Sequence, residues 1–192
     1  MASLDDVKRL REETGVSIMQ CKKALEEAGD DIEKAKVILR KISAATAAKK
    51  SDRELGAGAV QTYVHAGNKV AAVVVLACET DFVAKNEEFV QLAYAIALHV
   101  AAMSPQFTRR ENVTEADIAA ARSVFENEAA DKPEAMRDKI VAGKIDSYLA
   151  EKVLLEQAFV KDPTTTVGQL IEQATQKFGE KIEIANFGRY EI

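Results

Sequence analysis

The sequence predicts an α+β protein: a small three-helix bundle, then a core of antiparallel sheet and helices that carries a projecting helical hairpin. Three observations lead there. Before residue 45, apolar residues recur at helical spacing in three segments, each with its own start and stop signals. From residue 60 to 78, an alternating run and a continuous apolar run flank turn chemistry at Ala66-Gly67-Asn68. Between about residues 114 and 151, two charged helical segments with narrow apolar stripes are separated by a short break. A chain of 192 residues, 47% of them hydrophobic, can bury one main core and a small satellite.

The bundle is assigned to residues 1–45. Its first helix shows Leu4, Val7 and Leu10 at helical spacing and is broken by Gly15. The second opens at Ser17-Ile18-Met19-Gln20, a capping box in which Ser17 and Gln20 satisfy free backbone donors reciprocally. Its stripe is Ile18, Cys21, Ala24, Leu25 and Ala28, and it stops at Gly29. The third opens at Asp30-Asp31 and carries Ile32, Ala35, Leu39 and Ile42. Residues 46–58 read as a linker, Ala- and Lys-rich and helical at first, then polar with two glycines and flexible. Lys49 and Lys50 within it are expected to be solvated.

The core spans residues 59–192. Val60, Thr62 and Val64 alternate with Gln61, Tyr63 and His65, and Val70 to Cys78 returns as the second strand of a hairpin. A helix follows to about Met103, ending before Pro105, with Phe89, Leu92, Ala93, Ile96, Ala97 and Val100 on one face. Thr114 caps the first helix of the projecting pair, which turns Ile118, Ala121 and Phe125 to one side. Pro133 opens the second, which carries Met136, Ile140 and Tyr148. Val153 to Val160 is predicted as a strand closed by Lys161-Asp162-Pro163. Thr166 caps a helix bearing Val167, Leu170, Ile171, Ala174 and Phe178, Gly179 stops it, and Ile182 and Ile184 begin a last strand.

One stretch between strand and helix carries chemistry: Cys78-Glu79-Thr80-Asp81-Phe82-Val83-Ala84-Lys85-Asn86. Asn86 is a good N-cap, and Glu87 and Glu88 put negative charge in the first turn of the helix, where the macrodipole favours it. The helix therefore starts after Asn86, and Thr80 to Lys85 form a separate turn with an acid, a bare aromatic and a base. Periodicity leaves Phe82 open to two assignments, because it lies seven residues before Phe89 and also fits the core stripe.

Composition narrows the function. A net charge of -5 with no strongly basic window argues against a direct nucleic-acid partner. No apolar run reaches 18 residues, which argues against a membrane span. The start, Met1-Ala2-Ser3-Leu4-Asp5-Asp6, lacks the basic and apolar regions of a signal peptide, so a cytoplasmic protein is expected. Two cysteines are too few for a disulfide scaffold or a Cys-only metal site. With no Gly-rich phosphate loop either, no cofactor and no metal are expected. A thiol-dependent hydrolase would use Cys21 or Cys78 with His65 or His99 as base. Against it, Cys21 sits on a helix stripe and Cys78 ends a buried strand, ordinary places for a small apolar residue.

Residues 78–86 resemble, nearly position for position, a signature of the elongation factor Ts family, the guanine-nucleotide exchange factors for elongation factor Tu. Leu10-Arg11-Glu12-Glu13-Thr14-Gly15, followed by Cys21-Lys22-Lys23-Ala24-Leu25, resembles the other signature of that family. The bundle also resembles the ubiquitin-associated three-helix fold. Tyr63-Val64-His65-Ala66-Gly67 resembles a family hairpin beside the Thr-Asp-Phe turn, and Glu156 to Val160 with Thr166 to Leu170 resembles its C-terminal core. The likeness covers essentially the whole chain, in the order of the short form with a single core half. Gln20, Val75 and Ala158 depart from it, standing where the family usually or often has Asp, Glu and Pro. The first change keeps a helix-capping residue, and the second leaves a plainer apolar strand.

The resemblance implies a factor that binds elongation factor Tu carrying GDP and promotes GDP release by disturbing the magnesium and phosphate site, so that GTP can reload. It implies no active-site chemistry in this chain. Thr80, Asp81, Phe82, Val83, Ala84 and Lys85 would form the main contact, with Phe82 as a wedge and Asp81 and Lys85 as polar contacts. The bundle would grip the GTPase through Leu10, Arg11, Met19, Lys22 and Lys23, and His65, Ala66 and Gly67 would add a further contact. A homodimer, giving a two-plus-two complex, would supply the missing core half, with the helix pair and the open edge of the sheet as candidate surfaces. A pure adaptor of the ubiquitin-associated type explains the first 45 residues but not the turn on a separate core.

Overall fold

The computed structural model describes residues 3–130 and 133–192; Met1 and Ala2, part of the start read against a signal peptide, lie outside it. In the bundle, Ser3 caps α1 (Leu4–Thr14) by accepting from the Asp6 amide, and Gly15, at φ 66°, ends it with its N–H on Arg11 O. Ser17 caps α2 (Ile18–Glu27), accepting from the Gln20 amide at 3.4 Å. The expected reciprocal half takes another route: the Ser17 hydroxyl donates to Gln20 Oε1 at 3.1 Å. Asp31 caps α3 (Ile32–Ala48). Val7, Leu10, Val16, Cys21, Ala24, Leu25, Ala35 and Leu39 close a core belonging to these helices alone.

Next come β1 (Ala57–Val64), β2 (Val70–Cys78), α4 (Asp81–Ala84), α5 (Glu87–Met103), α6 (Glu115–Glu128) and α7 (Glu134–Lys152). The chain closes with β3 (Ala158–Phe159), β4 (Asp162–Thr166), α8 (Val167–Phe178) and β5 (Ile182–Glu191). The main sheet is antiparallel in the order β1-β2-β5, with β2 central. Its inner face buries Ala72, Val74, Leu76 and Cys78 under α5, which contributes Phe89, Ala93, Ile96, Ala97 and Val100, and under α8, which contributes Val167, Ile171 and Ala174. The outer face carries Val60, Thr62 and Val64 beside their β2 partners Val75, Val73 and Ala71, and Tyr190 beside Ala71 on the other flank. No helix among the described residues is long and apolar enough to cross a membrane.

The strand expected over Val153 to Val160 does not form. Val153 makes one bridge to Phe107, Leu154–Glu156 is a 3-10 turn, and only Ala158 and Phe159 pair, with β4. Gln157 explains the break. Its buried amide donates to Glu151 O at 2.6 Å and to Met103 O at 3.4 Å, while its Oε1 meets His99 Nε2 at 2.9 Å. A buried amide of this kind must be satisfied where the chain passes, and the turn brings it there.

The segment read as a linker makes specific contacts. α3 continues to Ala48 and packs along α8, where buried Ser43 meets the Gln176 side chain. Lys50 is not free: its Nζ donates to Gly179 O at 2.7 Å. Arg53 binds Glu79, and Lys181 Nζ reaches Arg53 O at 3.1 Å. The arm of α6 and α7 has a core of its own around Ala129, Val141, Ile145 and Leu149. Met136, placed on the α7 stripe from sequence, is exposed. Arg110 fixes the arm's base by bonding Glu156 (2.5 and 2.8 Å) and Asp146 (2.6 Å) together.

Candidate functional site

β2 ends at Cys78, and the chain turns at once into α4. Thr80 caps that single helical turn, its Oγ1 facing the Val83 amide at 3.5 Å. Asn86 then caps α5, accepting from the Glu88 amide at 2.9 Å, so the two helices are separate as the capping residues predict. The break decides the orientation of Phe82. Val83 and Ala84 turn into the core, while Phe82 is 85% exposed. Asp81 and Lys85 flank it on the solvent side, 3.8 Å apart and both about four-fifths exposed. An isolated aromatic ring between an acid and a base, on a short backbone fixed by two buried neighbours, suits contact with another protein.

The turn is tied down from a distant part of the chain. Glu180, in the loop after α8, accepts from the Glu79 and Thr80 amides at 3.1 and 3.0 Å and from the Thr80 hydroxyl at 2.6 Å. Glu79 in turn accepts from the Lys181 amide at 2.5 Å and pairs with Arg53 at 3.1 Å. The Lys181 amide, with the Arg53 guanidinium, holds the Glu79 carboxyl below its ordinary range. No local pattern in the sequence points to Glu180, since its partners lie about 100 residues away.

The other residues picked from sequence fall into two groups. Met19, 76% exposed, lies with Lys22 and Lys23 along a shallow groove on α2, and exposed Ile18 adds apolar surface beside it. Arg11 is exposed in the last turn of α1. Leu10 is fully buried in the bundle core, and Val83 and Ala84 are buried in the main core. The side chains of those three, at 0–8% exposure, support the surface from beneath rather than form it. His65, Ala66 and Gly67 are exposed in the β1–β2 turn, with the Tyr63 hydroxyl 3.1 Å from His65 Nδ1. They do not sit beside Phe82. Cys78 pairs with Ala57 and Ala71 with Val64, so the two turns lie at opposite ends of β2, roughly 25 Å apart.

The chain as a whole matches the family model described as "Elongation factor TS" over residues 5–192. "Elongation factor Ts" of Herpetosiphon aurantiacus is 46% identical over 192 residues, which span 99% of this chain and 97% of that protein. The Thermotoga petrophila protein of the same name is also 46% identical, over 190 residues covering 99% and 96%. That of Koribacter versatilis is 45% identical over 192 residues covering 99% and 88%.

The chain belongs to the elongation factor Ts family.

Geometry gives the thiol reading little support. Burial pushes both the Cys21 and Cys78 thiols up, away from the thiolate a nucleophile needs. Cys21 Sγ faces Val16 O and Thr14 Oγ1, and Cys78 Sγ faces Thr80 O. His99 is occupied elsewhere, with Nδ1 accepting from the Val160 amide at 3.1 Å and Nε2 on Gln157. Cys21, Cys78 and His99 are thus buried in the bundle and the main core, while His65 stays exposed in the hairpin turn.

Proposed function

We propose that this chain promotes GDP release from elongation factor Tu by binding the nucleotide-free GTPase more tightly than the GDP-bound form. By linkage, such a preference weakens nucleotide binding by the same factor. No nucleophile, cofactor or nucleic-acid contact is needed in the chain itself. The observation that carries the proposal is Phe82: an 85% exposed aromatic on a backbone fixed at both ends, next to Asp81 and Lys85. A GTPase holds GDP through its phosphate loop and a magnesium ion. A wedge that shifts the elements around the magnesium lowers affinity for GDP and leaves the site open for GTP.

The bundle supplies the second grip, through Met19, Lys22, Lys23 and Arg11, and works as a unit docked separately from the wedge. The test is release of a fluorescent GDP analogue from purified elongation factor Tu, followed with and without this chain. Acceleration at substoichiometric concentration supports exchange. Binding without acceleration would leave only an adaptor.

The chain acts in the cytoplasm as a homodimer in a two-plus-two complex. The outer face of the sheet supports this assignment better than its edge. Val60 and Val64 are 59% and 57% exposed there, and Val73, Val75 and Tyr190 extend the same uncharged surface. An apolar sheet face open on one side matches the inner face of a β-sandwich, in which two sheets stack about 10 Å apart.

A further inference from the structure

We infer that Glu180 is a positioning residue for nucleotide exchange, its carboxylate holding the backbone that presents Phe82; the inference rests on the exchange function proposed above. The need for such a residue follows from the size of α4. Four residues cannot sustain a helical turn alone, because nucleation costs more than one or two hydrogen bonds return. Val83 and Ala84 anchor the turn from beneath by burial. That leaves its entry, where the chain departs from β2 and the Glu79 and Thr80 amides lose their strand partners.

Glu180 meets that need. Its Oε2 accepts both amides, at 3.1 and 3.0 Å, and its Oε1 accepts the Thr80 hydroxyl at 2.6 Å. With the Thr80 proton committed to Glu180, the Oγ1 lone pairs are left to face the Val83 amide and cap α4. Every hydrogen bond the Glu180 carboxylate makes among the described residues goes to Glu79 or Thr80. Glu79 returns the connection through the Lys181 amide at 2.5 Å, so the two loops hold each other in both directions. Hydrogen bonds to a carboxylate are among the stronger ones, and the three on Glu180, two from backbone amides and one from a hydroxyl, set the turn's position at the end of the sheet. Phe82 follows two residues later, within the turn those bonds fix.

The experiment uses the full chain with Glu180→Ala, Glu180→Gln and Glu180→Asp, beside Phe82→Ala and the Phe82→Ala/Glu180→Ala pair. Amide hydrogen exchange is read first. Glu180→Ala should raise exchange at Glu79 and Thr80 by roughly ten-fold or more, with the α5 amides unchanged. In fluorescent GDP release from elongation factor Tu, the same variant should lower the rate at saturating chain by roughly ten-fold. The half-saturating concentration should move less than about three-fold, because the bundle still grips. Glu180→Gln should recover most of the rate, since its oxygen accepts the two amides and its NH2 group donates to Thr80 Oγ1. Glu180→Asp, one methylene short, should behave like Glu180→Ala and serves if the alanine variant does not fold. The pair should be no slower than Phe82→Ala alone, as expected if Glu180 acts through Phe82. Unchanged amide protection in Glu180→Ala would overturn the inference, as would lost protection with a full release rate, or effects of the two substitutions that multiply. Should the unaltered chain fail to accelerate release, exchange itself falls and the positioning role with it, while hydrogen exchange still reports whether Glu180 holds the turn.

Discussion

Phe82→Ala separates a partner contact from a core residue, the two assignments that periodicity leaves open. At 85% exposure the ring keeps only a small part of its surface against the protein. A fully buried Phe removes on the order of 200 Å² from water. The remaining contact is therefore about 30 Å², worth under ~1 kcal/mol at about 25 cal/mol per Å². Alanine's better helix propensity within α4 offsets part of that loss. In a chain of this size 1 kcal/mol moves Tm by about 2–4 °C, so the variant should melt within about 4 °C of the unaltered chain. A core Phe would instead cost ~3–5 kcal/mol on truncation. Binding should respond in the opposite sense, because a central aromatic anchor typically contributes about 2 kcal/mol or more, roughly a thirty-fold loss of stimulated release. Thermal unfolding and fluorescent GDP release on the same sample check both halves. A drop in Tm beyond about 10 °C, with exchange per folded molecule unchanged, would refute the reasoning and return Phe82 to the core.

Three further outcomes follow. Deleting residues 1–50 should leave a core that unfolds cooperatively at a somewhat lower Tm, since the bundle and the core have separate buried clusters joined mainly along α3 and α8; binding to elongation factor Tu, measured by titration, should weaken. Val73→Lys, on the outer face of β2, should convert a dimer to a monomer in sedimentation at micromolar concentration while changing Tm little; a monomeric unaltered chain would remove the dimer. His99 sets a pH dependence. Burial holds its pKa below 6.5, with the Gln157 hydrogen bond opposing, so the unfolded chain takes up the proton first as pH falls. Its contribution is full above about 6.5 and is lost as pH drops from there through the folded value, which denaturant midpoints between pH 8 and 5 should show and His99→Gln should flatten.

What the sequence disclosed was local. Asn86, Thr114 and Thr166 each begin a helix where expected, because a capping bond links residues two or three apart and leaves its signature in the spacing. The separation of α4 from α5, on which the exposure of Phe82 depends, is signalled by Asn86. What the sequence did not disclose was of longer range. Leu10, Val83 and Ala84 lie inside motifs that also carry exposed residues, and a motif does not distinguish surface from support. Val153, Leu154 and Leu155 are apolar enough for a strand, but the buried Gln157 amide makes a turn of the segment. Lys50, Arg53 and Glu180 find partners between 26 and 129 positions away, where spacing along the chain carries no information.

The exposed Phe82 turn also poses a stability problem whose solution shapes this end of the molecule. A large aromatic in water gains nothing from folding, and a four-residue helix contributes almost nothing to its own formation. The turn must therefore be supported entirely by its neighbours. Val83 and Ala84 support it from the core, Thr80 caps it, and Glu180 closes its entry. Arg53 and Lys50 extend the same set of contacts into the segment leading from α3, so the chain between the α2 groove and the wedge is pinned rather than loose. Under the proposed exchange function, this rigidity has a direct consequence. A compliant wedge would yield to the GDP-bound form and bind both shapes alike, and equal affinity for two states shifts neither. Only a turn that costs more to deform than the partner's magnesium site can transfer the strain to the nucleotide. The long-range hydrogen bonds around Thr80 would supply that stiffness to an element too short to be stiff by itself.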